Sequence, residues 1–156
     1  MTINATMGVK SIKYGNVGST PATAIADVYQ DSATFVTKDA TVTEHKSETS
    51  SKRIVMTTKE GHELKFSIMD PTPAEIAAFM GGTANGTAGW TEAEESVQID
   101  KALEVEPVQG LKLHIPSASI TAKFNTTFSA KGITLLDVTA TTTAAITFGT
   151  AAQAGQ

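Results

Sequence analysis

Apolar residues recur at every second position along most of this chain, and that period places side chains as a strand does, not as a helix does. The clearest case is Leu64, Phe66 and Ile68 alternating with Lys65, Ser67 and Met69. Ile54 and Met56 oppose Val55 in the run from Arg53 to Thr58, and Glu60-Gly61 is a turn signal that predicts a hairpin between these two runs. Val97, Ile99, Leu103 and Val105 alternate with Gln98, Asp100, Ala102 and Glu104. Lys101 interrupts their apolar side, so a bulge is expected there. Leu111, Leu113 and Ile115 follow, then Ile120, Ala122 and Phe124, and a last long strand runs from Ile133 to Thr143, with Ile146 and Phe148 extending it. Composition agrees: 25 Thr and 21 Val plus Ile stand against 6 Leu. Residues with two heavy substituents on Cβ stack well on a pleated surface.

One segment breaks the period. Thr72 is placed as an N-cap, Pro73 at the first helical position and Glu75 as the partner of a capping box. Ile76, Phe79 and Met80 fall on one helical face, and Gly81-Gly82 ends the helix. The order strands, one helix, strands predicts a mainly β chain. The fold class is a β-sandwich or partly open barrel with one short flanking α-helix at about residues 73–80.

The remainder reads as connections. Residues 1–33 hold one short strand, Val9 to Tyr14, followed by the breakers Gly15, Gly18 and Pro21, and are expected as an extended N-terminal arm. Residues 34–69 read as three strands, the first beginning at Phe35. Asp39 to Arg53 is a long polar segment of mixed charge between two strands, although a plain hairpin needs only about 2–5 loop residues. A loop of that length is either disordered or ordered by a partner. Residues 83–95 read as a loop carrying Trp90. Pro116 predicts that its strand bends, ends or lies at an edge. The tail Gly149 to Gln156 is small and polar and is expected to be loose. The 156 residues are read as a single domain.

Several functions are excluded by what the residues lack. There is no Cys, so disulfides and thiolate metal sites are excluded. A net charge of −4 argues against nonspecific nucleic-acid binding. No run approaches the ~20 apolar residues of a membrane helix. Met1-Thr2-Ile3-Asn4 carries no basic stretch and no apolar core, so a cleaved leader is not expected. His45, His62 and His114 have no metal-ligand spacing, and neither a nucleophile elbow, a P-loop nor a zinc-protease motif occurs. No catalytic residue, metal or cofactor is predicted, and an enzyme is the least favoured reading.

Acidic charge is local. Residues 92–106 hold Glu92, Glu94, Glu95, Asp100, Glu104 and Glu106 against Lys101. A charge run is most often a solvated face. The functional alternative is a wall that repels passing DNA, with Lys112, His114 and Lys123 nearby diluting the effect.

The opening Lys13-Tyr14-Gly15, the early hairpin with a long polar loop, and Leu64-Lys65-Phe66-Ser67-Ile68-Met69-Asp70-Pro71 followed by Pro73-Ala74-Glu75-Ile76-Ala77-Ala78-Phe79-Met80-Gly81-Gly82 resemble the bacteriophage major tail tube proteins. Only residues 64–82 give a motif-like match. The resemblance implies a virion protein made in the bacterial cytoplasm, a structural subunit whose hexameric rings stack into a tube. It further implies partners in identical copies, in the tape-measure protein, in passing DNA that is not specifically bound, and in terminator or baseplate proteins. Under it, Lys46, Glu48, Lys52 and Arg53 map to ring-to-ring contact, and Asp100, Glu104 and Glu106 to the lumen. The alternatives are the tube of a contractile injection or type VI secretion device, a phage head decoration protein, or, from another class, a β-sandwich binding module.

Overall fold

The computed structural model describes residues 8–86 and 88–150. Its strands are β1 (Ser11–Asn16), β2 (Thr23–Ala24), β3 (Thr34–Thr37), β4 (Thr41–Lys46), β5 (Arg53–Thr58) and β6 (His62–Met69). The helix α1 (Pro73–Met80) follows. Then come β7 (Thr83–Ala84), β8 (Trp90–Thr91), β9 (Ile99–Glu106), β10 (Leu111–Thr126), β11 (Thr134–Thr142) and β12 (Thr147–Thr150). The mainly β class with a single short helix is as expected from the alternation.

One large antiparallel sheet runs β2-β1-β9-β10-β11-β6-β3, with β12 also paired to β10. Its inner side carries Ile12, Leu64, Phe66, Ile68, Leu103, Ile115, Leu136 and Val138, each 2% exposed or less. These residues come from both borders of the sheet and form one cluster with Phe79 of the helix, so the sheet curls around a shared core. At one end the stretch from Thr23 to Tyr29 bonds to the strands next to both borders. Ile25 N–H donates to the Ile12 carbonyl (2.9 Å) on β1, and Tyr29 N–H donates to the Ser67 carbonyl (2.8 Å) on β6. The result is a partly open barrel.

The helix forms for the reason its sequence gives. Glu75 N–H donates to Thr72 Oγ1 (3.3 Å) and Thr72 N–H donates to Glu75 Oε1 (3.1 Å), the two halves of a capping box. Phe79 is the anchor, with its ring edge-on to Tyr14 (4.9 Å) and Phe66 (6.0 Å). At eight residues the helix depends on that packing.

Several expectations change. Within the stretch expected as an arm, Ser11–Asn16 and Thr23–Ala24 are strands of the sheet: β1 pairs with β9 over its whole length, and Ile12 is fully buried. Residues 1–7 of that expected arm lie outside the described residues. Residues 34–69 hold four strands, because Thr41 to Lys46 is itself a strand paired with β5. Glu60-Gly61 therefore joins no hairpin: β5 pairs with β4, and β6 pairs with β3 and β11. The expected bulge lies on the opposite strand. Leu103 faces Ile115 and Lys101 faces Ala118, so β10 carries the extra residue beside Pro116, while β9 runs through Lys101. Pro116 is consequently in a central strand, at the point where β10 exchanges β12 for β11 as neighbour. The loop around Trp90 contains the short β7–β8 ladder, held by Trp90 Nε1–H donating to the Gly81 carbonyl (2.7 Å). Gly149 and Thr150 belong to β12, and the rest of the expected loose tail, 151–156, lies outside the described residues.

Candidate functional site

The most unusual surface is the ribbon formed by β4 and β5. Its sequence favours strands, with Thr, Val or Ile at seven of its twelve positions, and its register runs from Thr41 opposite Thr58 to Lys46 opposite Arg53. The tip is closed locally. Ser47 N–H donates to the Lys52 carbonyl (3.0 Å), and the Ser47 and Ser50 hydroxyls accept from Thr49 N–H (3.2 Å) and Lys52 N–H (3.3 Å). At the base, Lys38 N–H donates to the Gly61 carbonyl (3.0 Å) and His62 N–H to Thr142 Oγ1 (2.9 Å), which ties the ribbon to the end of β11.

Between base and tip, no other described residue covers it. Every residue from 36 to 60 is exposed, 25 in succession. Both faces nonetheless carry apolar side chains. Ile54 (51% exposed) and Met56 (57%) lie with Thr43 and His45, while Val42 (61%) and Val55 (51%) lie on the other face. An isolated two-stranded hairpin is at best marginally stable in water. The ion pairs on it, Arg53–Glu44 (3.1 Å) and Lys46–Glu44 (3.9 Å), are solvent-exposed and contribute little. The ribbon thus leaves apolar side chains in water on both of its faces. The sequence signal for it was present as the alternation of Ile54, Val55 and Met56, which by itself does not separate a strand packed on its own core from one awaiting a neighbour.

The four residues assigned to subunit contact all fall on this ribbon. Lys46 and Arg53 are the last opposed pair of the ladder, and Glu48 and Lys52 stand in the tip. The three assigned to a lumen share one side of β9 with the fully buried Ala102, since 100, 102, 104 and 106 have the same parity, opposite Leu103 of the core and the half-buried Val105. That side is not purely acidic. Glu104 pairs with Lys112 (3.2 Å) and Glu106 with Lys10 (3.7 Å), with each carboxylate side chain 14% exposed. Asp100 is exposed and accepts from Gln98 Nε2 (3.2 Å). Lys13 lies directly across from Glu104.

Elsewhere a hollow of about 530 Å³ is lined by Lys10, Ser11, Asp27, Tyr29 and Asp31. Among the described residues no group of three or more His, Asp or Glu is placed to hold a metal. His45 is on the ribbon, His62 stacks on Phe35 (5.4 Å) and bonds Thr37 Oγ1 (2.9 Å), and His114 is on β10. An apolar hollow of about 540 Å³ opens between β3 and β12, bordered by Val9, Phe35, Leu111 and Phe148, and its lining includes no titratable side chain. Among the described residues no helix is long and apolar enough to cross a membrane.

No protein-family model matches this chain, and no curated protein matches it at a significant level.

Proposed function

We propose that this chain is a structural subunit of a bacteriophage tail tube, working by assembly with identical copies and not by catalysis. The observation that carries the reading is the exposed ribbon of residues 36–60, with apolar residues on both faces and no cover from the other described residues. Its 25 residues compare with the roughly 20–30 a side of a specific protein interface. The likeness of residues 64–82 to the tail tube proteins supplies the kind of assembly: hexameric rings stacked into a hollow tube of the virion, through which DNA and the tape-measure protein pass. In this reading Lys46, Glu48, Lys52 and Arg53 set the register between rings, because charge pairs at an interface specify orientation more than they add affinity. The side of β9 with Asp100, Glu104 and Glu106 faces the lumen. Its carboxylates, offset by Lys10, Lys13 and Lys112, give a wall with little net attraction for phosphate.

Negative-stain electron microscopy of the purified chain tests this. Rings or hollow tubes are expected, and a strict monomer at high concentration refutes the assembly. Deleting Ser47 to Ser51 is expected to leave single rings or monomers and to stop tube growth. Tubes of unchanged length would remove the role given to the ribbon.

A further inference from the structure

The ribbon has a counterpart at the opposite end of the same chain. Strands β6 and β11 are paired from Glu63–Thr141 at one end to Met69–Leu135 at the other, a span of about 20 Å at ~3.3 Å per residue. The ribbon leaves from the first end, beside His62 and Thr142. The β10–β11 turn, residues 127–133, leaves from the second, where Asp70 N–H donates to the Thr134 carbonyl (3.0 Å). Phe128 in that turn is 97% exposed, and Ile133 beside it is 45% exposed. An aromatic ring held in water on a short turn stabilises nothing in its own chain. Large aromatic side chains that are buried only on association are the usual anchors of interfaces.

Charge follows the same division. Asp27, Asp31 and Asp70 are exposed around the second end: the Asp27 carbonyl accepts from Met69 N–H, and Asp70 directly follows β6. None of the three is in an ion pair among the described residues, and Lys131 is the cation of the turn. The outer half of the ribbon carries Lys46, Lys52 and Arg53 against Glu44 and Glu48. The two ends are therefore opposite in net charge, and each has uncovered apolar groups.

We infer that the Phe128 turn of one copy receives the β4–β5 ribbon of the next. Phe128 and Ile133 pack against the Ile54–Met56 face of the ribbon, and Asp27, Asp31 and Asp70 face its net positive tip, with Lys52 as the opposed cation. The inference rests on the reading of the chain as a self-assembling subunit and supplies the receiving surface that reading lacks. Because the two surfaces differ and lie at opposite ends, the contact is head-to-tail and does not close on itself, so copies add along the β6–β11 direction.

Two variants of the full chain test it: Phe128→Asp, which alters the receiver, and the double variant Ile54→Asp, Met56→Asp, which alters the ribbon. All three positions are exposed, and unchanged circular dichroism and urea midpoints confirm folding. Each variant alone is expected to stop lengthwise growth in sedimentation velocity and electron microscopy. An equimolar mixture is expected to join units two by two and no further, since one variant keeps a working ribbon and the other a working receiver. A third variant, Asp70→Lys with Lys52→Glu, is expected to restore more growth than Asp70→Lys alone. If the parent chain assembles and Phe128→Asp assembles to the same length, or if the mixture fails to pair, the receiver is elsewhere while the assembly reading stands. If the parent chain remains single at every concentration, both fall.

Discussion

Replacing Ile54 and Met56 with Thr separates folding from assembly in one protein. The two side chains share a face of the ribbon and retain 51% and 57% of their exposure. Fully burying such a side chain is worth about 1.5–3 kcal/mol, so roughly half of that, about 1 kcal/mol each, is still available to a partner. Thr keeps the β-branched preference for a strand, so the ribbon itself is preserved. Removing both contributions costs about 2 kcal/mol per contact, close to a thirtyfold rise in the concentration at which assembly begins. The stability of the single chain should move by less than about 0.5 kcal/mol, as for most exposed substitutions. Light scattering against concentration reads the first quantity and urea unfolding below the assembly threshold reads the second. A loss of more than about 1 kcal/mol in the single chain would mean that the ribbon packs on its own body and would refute the reasoning. So would an unchanged onset of assembly.

Other sites give sharper stability outcomes. Phe79→Ala removes a ring that is 1% exposed and touches Tyr14 and Phe66, and should cost about 3–5 kcal/mol in urea unfolding. Gly82 has φ +85°, and a Cβ there would stand 2.4 Å from the Thr91 carbonyl oxygen, so Gly82→Ala should cost about 2–4 kcal/mol and displace Trp90. Gly86 has φ +60° and open space around it, so Gly86→Ala should cost only about 1 kcal/mol; equal losses at the two glycines would show that the Trp90 ladder does not hold the helix end. Burial, and then the charge of Glu75, raise the Tyr14 phenol above its ordinary value. Its contribution to stability is complete below that ordinary value and declines as pH rises through the shifted one. Ultraviolet titration should show the Tyr14 phenol titrating late, and Glu75→Gln should bring it only part of the way back because burial is the larger cause.

The parts of the fold that were legible are those in which local chemistry and tertiary demand agree. Thr72 and Glu75 make a reciprocal cap whatever surrounds them, and Leu64, Phe66 and Ile68 alternate over enough positions to fix a buried side. Ile12 was harder to place. It is one apolar residue between Ser11 and Lys13 in a strand with a glycine, and what makes it central is its pairing with Val105, far away in sequence. Pro116 misled for a related reason. Its missing N–H argues for an edge, yet a bulge at which the neighbouring strand changes meets the same requirement inside the sheet. The ribbon was half legible. Its strands are visible in the alternation of residues 53–58, but β4 carries Glu44, His45 and Lys46 among its six residues, a polar content that reads as loop when no core covers it. Of the positions assigned to contact and lumen, the ribbon four and the β9 three each share a surface, whereas Phe128 carried no sequence signal, because an aromatic at the end of an alternating run reads as core.

The pairing of β1 with β9 also sets a timetable. Ser11 meets Glu106, 95 residues later. At roughly 5–20 residues per second of synthesis, the first strand waits about 5–19 s for its neighbour to be made. Throughout that interval its backbone donors and acceptors, and Ile12 with them, are open to any strand of suitable length, including the same strand on an adjacent nascent chain. On the assembly proposed above, copies of the chain must therefore be kept apart while they are being made.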